Sequence, residues 1–555
     1  MAAYAEKDSP LCHRTQDWYE VNALRKRKPL ILIRKDPHHN CQDSDQFRAT
    51  RGGIWQHGHG MEKSLKIIVR PKAILIARVA AILFLSIFMI PGPALAQSVK
   101  FKHVVVILQE NRTPDNIFGS NPNFEPGVDL ASSGLTSKGE QVPLKPIPWE
   151  TCFDLNHSFH AFIVAYNNGK MDGADQNTTQ FPDGACVVPP LPQYRYIDNS
   201  KGQVQPYFDI AKQYGWANRN FQTNQGPSFS AHQFFIAGTS APDTNSKLFV
   251  AGNPIKEPAG CTATPDNTVT VVDEDGDENS HPPIFPCFEH PTLPDVLDAA
   301  GISWKYYSEV PDSIWVAPNA IRHMCGVTEN KNGTLDCTSP SWMKSLVIGK
   351  HAVLKDIKDC ELAQVSWVTP THQESDHPRM TDGRGPGWVA SVVNALGTNP
   401  ACAGTGEVYW KDTAIFITWD DWGGWYDHVK PFRQGQPNGW GKGFTYGFRV
   451  PLLVVSAYTP AGFVDNADHD SGSLLKFVED NFASPDGKPL GLIGPGTYAD
   501  AYDNNSLQAF FTLTSPRIFQ PIPVKFNFHF FMLEEEDMGR QVFKEMAKCG
   551  LGCWF

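Results

Sequence analysis

Residues His103–Gly119 read HVVVILQENRTPDNIFG. The unbroken aliphatic run Val104–Leu108 is typical of a strand that is buried on both faces of a parallel sheet. The run ends at Glu110 and Asn111, whose side chains carry hard oxygen ligands, and Pro114 prevents the strand from continuing. Because ligands of open α/β sheets bind just beyond the carboxyl ends of the strands, this position indicates a metal or phosphate site. The alternative is that Glu110 and Asn111 only cap a turn.

The first part of the chain carries a targeting pattern. Residues 61–96 contain a basic region, a long apolar run and the small-residue end Ala94-Leu95-Ala96, which is the pattern of a secretory signal peptide. It predicts cleavage before Gln97 and a secreted or periplasmic protein; the alternative is an uncleaved helix that anchors the chain to a membrane. Because signal peptides begin near the start of translation, we interpret Met61 as that start and residues 1–60 as a disordered upstream extension.

The length of the chain allows one elaborate α/β domain or two to four domains, and we expect a single catalytic domain from residues 97–555. These residues carry 33 Lys and Arg against 51 Asp and Glu, a net charge of −18, so no nucleic-acid partner is expected. They also contain ten of the twelve cysteines, an even number that favours disulfides in an exported chain. We expect cysteines adjacent in the sequence to pair, as Cys152–Cys186, Cys261–Cys287, Cys325–Cys337, Cys360–Cys402 and Cys549–Cys553.

Further apolar runs predict more strands, and helical patterns lie between them. Three of these runs precede carboxylates or histidines: 364–368 before Asp376 and His377, 413–419 before Asp420 and Asp421, and 450–457 before Asp468 and His469. Helices are predicted at 159–166, 206–216, 292–300 and from about residue 473, and another strand at 302–307. This alternation predicts a mostly parallel sheet, whose strand ends would bring Glu110, Asn111, Asp420 and Asp421 together at one edge.

The residues at that edge suggest a cation and a nucleophile. The neighbouring carboxylates Asp420 and Asp421 repel each other, and a bound cation would relieve the repulsion. Oxygen ligands favour Ca²⁺, Mg²⁺ or Mn²⁺ over zinc. Ser228 follows the Gly226-Pro227 turn and opens a helical pattern, where a nucleophile for phosphoryl transfer would be placed. The alternatives are that Ser228 is only a helix cap, or that Ser230 is the nucleophile.

Two histidines are candidates for contact with a phosphate. His157 precedes the predicted helix 159–166, and His377 follows the strand at 364–368. Each would stabilise phosphate charge or protonate a leaving oxygen. A single loop histidine is more often structural, which is the alternative for both.

Several segments carry a family resemblance. ENRTPDNIFG (110–119), GPSFSAHQFFIAGT (226–239), SDHP (375–378), WDDWGGWYDHV (419–429) and DHDSGSLLKFVED (468–480) resemble, in this order, the motifs of a secreted phosphoesterase family. That family includes bacterial phospholipases C and acid phosphatases and is similar in fold to the alkaline phosphatase superfamily. The resemblance runs from about residue 100 to residue 480.

The resemblance implies a fold and a site. The fold would be an alkaline-phosphatase-like α/β sheet, mostly parallel, flanked by helices and carrying long loop insertions. A divalent cation would be held by Glu110, Asn111, Ser228, Asp420 and Asp421. Ser228 would be the nucleophile, and His157 and His377 would contact the phosphate or the leaving group. The chain departs from the family pattern at Thr113 and Pro114, which replace Ser and Phe, and at Ser230, where the family has Pro.

The expected function is metal-dependent hydrolysis of phosphate esters through a phosphoserine intermediate. The sequence leaves open an acid phosphatase or a phospholipase C type, and the second would bring transient contact with a membrane surface. One alternative is a catalytically inactive secreted binding protein, which is disfavoured because every expected ligand and a hydroxyl nucleophile are present. A sulfatase-like hydrolase is disfavoured because the C/S-x-P-x-R signature is absent around Ser228.

Overall fold

A computed structural model describes residues 99–182, 184–431, 446–494, 496–502 and 506–532. The predictions for residues 1–60 and 61–96 and for the pair Cys549–Cys553 concern residues outside these ranges. Within the described ranges, no helix is both long and apolar enough to cross a membrane.

A central sheet organises the described residues. Its eight strands are β1 (His103–Gln109), β2 (Gly215–Ala217), β3 (Trp304–Ser308), β4 (Leu346–Ile348), β5 (Val365–Val368), β6 (Thr413–Trp419), β7 (Leu452–Val455) and β8 (Phe463–Asp465). Their order across the sheet is β4-β3-β5-β1-β6-β7-β2-β8. Neighbouring strands pair in parallel, except that β7 is antiparallel to β6 and to β2. The predicted fold class, a mostly parallel α/β sheet, is confirmed.

Helices flank this sheet. They are α1 (Pro114–Phe118), α2 (Phe159–Tyr166), α3 (Gln205–Gln213), α4 (Ser228–Ala237), α5 (Leu293–Ala300), α6 (Arg322–Cys325), α7 (Pro340–Ser345), α8 (Ala352–Asp359), α9 (Gly385–Thr398), α10 (Tyr409–Asp412) and α11 (Ser471–Asn481). Alternate side chains of β1 enter two hydrophobic cores, Val105 and Ile107 in the first, and Val104, Val106 and Leu108 in the second. The continuous aliphatic run therefore reflects burial on both faces, as predicted.

Long insertions join these elements and carry short two-stranded ribbons. The ribbons pair Ser133–Leu135 with Gln141–Pro143, Lys145–Ile147 with Arg195–Ile197, Asp154–Leu155 with Thr179–Gln180, Phe249–Val250 with Val271–Val272, and Val327–Glu329 with Leu335–Cys337. Four disulfides stabilise the insertions and confirm the predicted pairs Cys152–Cys186, Cys261–Cys287, Cys325–Cys337 and Cys360–Cys402.

Two predicted elements differ from the structure. The helix predicted at 206–216 ends at Gln213, because Tyr214 leaves the helical conformation and the chain enters β2 at Gly215. The strand predicted at 450–457 is the shorter β7. Because β7 runs antiparallel to β6, its carboxyl end lies at the opposite end of the strands from the carboxyl ends of β1 and β6. An apolar run predicts a strand but does not encode the direction of that strand.

Candidate active site

The site begins where β1 and β6 end side by side. The two strands pair in parallel from His103 with Thr413 to Gln109 with Trp419, so both chains leave the sheet at the same level. The backbone N–H of Asp420 then donates to the carbonyl of Gln109 at 2.9 Å. This register brings the predicted ligands at the two strand ends together, as the sequence predicted.

The loop after β6 folds back against the end of β1. The Asn111 N–H donates to Asp420 Oδ1 at 2.9 Å, and Asn111 itself has a left-handed backbone with φ of 59°. Gly423 lies so close that a Cβ there would be 2.1 Å from the carbonyl oxygen of Asn111, and its φ of +61° also favours glycine. Gly423 therefore permits a close approach of the two loops.

Ser228 faces the carboxylates and Ser230 does not. Ser228 is the first residue of α4, and its Oγ donates to Asp421 Oδ2 at 3.0 Å. Ser230 Oγ accepts from Asn224 Nδ2 and donates to the Pro227 carbonyl, each at 2.8 Å. Ser230 thus stabilises the turn that precedes the helix. Of the two serines proposed from the sequence, only Ser228 has a hydrogen bond to a predicted cation ligand.

The oxygens of this edge fit a divalent cation. Glu110 Oε2, Asn111 Oδ1 and Asp420 Oδ2 are buried and have no hydrogen-bond partner among the described residues. Burial raises the pKa of Glu110 and of Asp421 well above the usual values, and the charge of Asp420 raises both further. Buried carboxylates so close together require a positive partner. The donor set contains carboxylate and amide oxygens, which suit a hard divalent ion.

His157 lies against the amide of Asn111. Its Nδ1–H donates to the Leu155 carbonyl at 2.7 Å, which leaves Nε2 to accept from Asn111 Nδ2 at 3.0 Å when the ring is neutral. The amide oxygen of Asn111 is buried and has no hydrogen-bond partner among the described residues. Burial lowers the pKa of His157, but the charges of Asp421 and Asp154 outweigh burial and raise it to about 9. A cation among the carboxylates would offset much of that increase.

His377 lies on the open side of the site. Its Nδ1–H donates to the Pro378 carbonyl at 2.7 Å, and its Nε2 is 3.9 Å from Asp154 Oδ2. The ring centre is 6.2 Å from that of His157. The other histidine of the later motifs, His469, is not part of this group, because its Nε2 pairs with Asp465 at 3.2 Å.

The loop that carries His377 is attached to the ends of β1 and β6. The Asp376 N–H donates to Gln109 Oε1 at 2.9 Å, and Arg112 Nε donates to the Asp376 carbonyl at 2.8 Å. Trp419 Nε1 donates to Asp376 Oδ2 at 2.9 Å. These contacts attach the loop that carries His377 to the ends of β1 and β6.

His232 is a member of the site that the sequence analysis missed. It lies one turn after Ser228 on α4, fully buried, with Nε2 3.0 Å from Glu110 Oε1 and 3.9 Å from Asp420 Oδ2. Burial lowers its pKa to about 4, so the ring is neutral and offers Glu110 a hydrogen bond. The spacing of four residues from Ser228 on a helix was the available signal.

Replacing His232 is expected to weaken cation binding. His232→Leu removes the hydrogen bond that orients Glu110, so we expect the Kd for Mn²⁺ to rise roughly 10- to 100-fold, the usual effect of losing a partner of a metal ligand. His232→Gln keeps a hydrogen-bond donor, so its Kd for Mn²⁺ should rise much less. Calorimetric titration with Mn²⁺ measures both, with circular dichroism to check folding. Equal Kd values for the two variants would contradict a positioning role.

A second charged group lies where the loop after β6 meets α1. Asp115, Asp427 and His428 come together there, but Arg449 forms a two-pronged ion pair with Asp427, at 2.8 and 3.0 Å. His428 Nδ1 is 2.8 Å from Asp115 Oδ2. Because a buried guanidinium supplies the positive charge, we interpret this group as an ion network that holds the loop after β6 to α1.

The ion network makes stability depend on pH. Burial lowers the pKa of His428, but its hydrogen bond and charge interaction with Asp115 raise the pKa from 6.5 to about 9. Stabilisation by His428 is therefore complete below pH 6.5 and is lost as the pH rises through 9. Urea unfolding should show the wild type losing about 2 kcal/mol more than His428→Gln over this window, a figure discounted for partial exposure. Parallel pH profiles of the two proteins would contradict the prediction.

Comparisons with known proteins agree with the motifs. The sequence model of a family described as "Phosphoesterase family" matches residues 101–485. The chain is 24% identical to the hemolytic phospholipase C of Pseudomonas aeruginosa, over 69% of this chain and 52% of that protein. It is 23% identical to phospholipase C A of Mycobacterium tuberculosis, over 71% of this chain and 75% of that protein. The chain thus spans about half the length of the Pseudomonas relative.

Among solved structures, one similar chain is a protein in the alkaline phosphatase superfamily from Vibrio parahaemolyticus. The two are 10% identical, the TM-score is 0.29, and the match covers 69% of this chain and 66% of the other.

Proposed function

Because the chain belongs to the phosphoesterase family, we propose that it hydrolyses phosphate esters by transferring the phosphoryl group first to Ser228 and then to water. The observation that supports this most directly is the hydrogen bond from Ser228 Oγ to Asp421 Oδ2, beside three buried oxygens without partners. A serine that only capped a helix would not require such surroundings.

The proposed cation ligands are Glu110, Asn111, Ser228, Asp420 and Asp421. A divalent ion bound among them would act as a Lewis acid, stabilising the serine alkoxide and the charge on the phosphate oxygens. Glu110 is oriented by His232, and Asn111 by His157. On this basis His157 acts through the Asn111 amide, as a positioning residue, in addition to the phosphate contact proposed from the sequence.

The proton transfers can be assigned to two side chains. In the first step Ser228 Oγ attacks phosphorus, its proton passes to Asp421 Oδ2, and the bond to the leaving oxygen breaks. His377, in its imidazolium form, gives the Nε2 proton to that leaving oxygen; because Nδ1–H is bonded to the Pro378 carbonyl and burial lowers the pKa of this histidine, the step is favoured at acidic pH. In the second step water attacks phosphorus and transfers a proton to His377, while Ser228 Oγ leaves and takes its proton back from Asp421. Both side chains return to their starting state.

We further propose that the substrate is a phospholipid and that the protein acts outside the cytoplasm. The names of the relatives support a phospholipase C activity, with a phosphate monoester as the second candidate. The four disulfides support an oxidising compartment.

The test compares p-nitrophenyl phosphate with p-nitrophenyl phosphorylcholine as substrates of the purified protein. Chelation should abolish turnover, and Mn²⁺, Mg²⁺ or Ca²⁺ should restore it. Preference for the phosphorylcholine ester supports a phospholipase C, and preference for the monoester supports an acid phosphatase. A folded, cation-loaded protein that turns over neither ester would favour the binding-protein alternative.

A further inference from the structure

Among the proposed site residues, His377 has the most exposed side chain. Glu110, Asn111, Ser228, Asp420 and Asp421 are at most 1% exposed, whereas the His377 side chain is 13% exposed. We therefore place the opening for a substrate phosphate at His377, whose Nε2 is 3.9 Å from Asp154 Oδ2. The residues around this opening would contact the molecule or surface that presents the substrate.

Exposed apolar side chains lie near His377. Met380 follows His377 in the same loop and is 44% exposed. Phe181 is 66% exposed, and the guanidinium of Arg379 lies 5.5 Å from the centre of its ring. Phe181 comes directly after the short strand that pairs with Asp154 and Leu155, so it is held beside the opening.

The insertion exposes a further apolar residue. Val187 is 85% exposed and follows Cys186, whose disulfide to Cys152 attaches it two residues from Asp154. We refer to Phe181, Val187, Arg379 and Met380 together as the rim surface. Its apolar side chains are exposed to solvent, although burial would stabilise them. Exposed apolar patches usually mark sites that bind a protein, a membrane or a ligand.

The backbone of the rim surface is also unusual. Phe181 has φ of 50° and Arg379 has φ of 69°, left-handed values that bulky side chains rarely adopt. Each residue in such a conformation is destabilising, and such residues cluster at sites of function. Both side chains are exposed, so hydrophobic burial within the protein does not compensate.

We propose that the rim surface contacts a zwitterionic phospholipid surface and places the opening over the lipid head groups. This inference rests on the proposed phospholipid substrate. The phosphate of a bilayer lipid lies in the head-group layer, and the nucleophile is buried, so residues beside His377 must enter that layer. Phe181, Val187 and Met380 would bury apolar area there. The net charge of −18 over residues 97–555 disfavours an anionic surface.

The test measures partition into phosphatidylcholine vesicles by sedimentation, with the full chain carrying Ser228→Ala so that no lipid is consumed. Adding Phe181→Ser and Met380→Ser should lower the partition coefficient on the order of tenfold, because two apolar side chains no longer enter the lipid. Val187→Ser alone should lower it less.

The matched control is Ile518→Ser. Ile518 is 82% exposed, and its neighbour Arg517 donates to the Gln213 carbonyl, next to the start of β2 and so at the opposite edge of the sheet. We expect its partition to stay within about twofold of the parent, since an exposed side chain remote from the lipid loses no burial. Vesicles with added phosphatidylglycerol should bind no better than phosphatidylcholine alone.

Three results would overturn the proposal: no vesicle binding by the Ser228→Ala parent, unchanged binding by the double variant, or an equal loss in Ile518→Ser. A wild type that cleaves soluble esters but does not bind vesicles would support the phosphoesterase proposal and contradict lipid contact by the rim surface. A protein that binds vesicles through these residues but hydrolyses no ester would support lipid contact by the rim surface and contradict the phosphoesterase proposal.

Discussion

Ser228→Ala is expected to lower kcat by about 10³-fold or more, because the nucleophile acts as one unit with the groups that activate it. Ser230→Ala should lower kcat by less than about tenfold, since among the described residues the Ser230 hydroxyl hydrogen-bonds to Asn224 and the Pro227 carbonyl and not to a proposed cation ligand. The two hydroxyls are two residues apart on one helix, and both are buried. Comparing the two variants therefore distinguishes the loss of a nucleophile from the loss of local packing and hydrogen bonds.

The measurement is the rate of p-nitrophenol release at saturating substrate and cation, with rapid-quench detection of phosphoserine in the wild type. Ser230→Ala loses two hydrogen bonds of the Gly226-Pro227 turn, so its effect should appear as a loss of about 1–3 kcal/mol in the free energy of unfolding. A larger loss of kcat in Ser230→Ala than in Ser228→Ala would move the nucleophile to Ser230. Full activity in both variants would exclude a phosphoserine at this helix.

Removing the divalent cation is expected to destabilise the fold. The carboxylates of Glu110, Asp420 and Asp421 are buried within one edge of the sheet, and without a cation they repel each other and lack solvation. A cation present at 100 times its Kd stabilises the folded protein by about 3 kcal/mol, which raises the Tm by a few degrees. We expect this shift when Mn²⁺ is added to protein treated with a chelator.

The double variant Glu110→Gln, Asp420→Asn should show the opposite pattern. Its cation-free form should be more stable than the cation-free wild type, because two of the repelling charges are gone, and Mn²⁺ should no longer raise its Tm. Glu140→Gln, at an exposed carboxylate, is the matched control and should keep the shift. Differential scanning calorimetry at fixed pH measures all three proteins. An unchanged Mn²⁺ shift in the double variant would place the cation elsewhere.

The two predictions concern different parts of one edge of the sheet. Ser228 comes from α4, whereas Glu110 and Asp420 come from the ends of β1 and β6. His232 connects them, since it lies on α4 and contacts Glu110. A variant that moves α4 should therefore change the nucleophile and the cation site together, and the His232 variants test this coupling.

Several features of this protein could be predicted from the sequence alone. The aliphatic run Val104–Leu108 and the run at 413–419 indicated strands buried on both faces, and the polar residues after them indicated the edge where a site would form. The four disulfides in the described residues join cysteines adjacent in the sequence. The strands and their ends are local properties, because periodicity and spacing encode the faces and ends of an element, whereas the disulfide pairs were assumed from adjacency in the sequence.

Only the tertiary structure decided which side chains from distant elements meet. It separated Ser228 from Ser230 by their hydrogen bonds, joined His157 to Asn111, added His232 and left His469 outside. It also set the antiparallel direction of β7. These outcomes depend on how helices pack on the sheet and how insertions fold over its edge. Such contacts join residues tens to hundreds of positions apart, and no local pattern in one sequence specifies them.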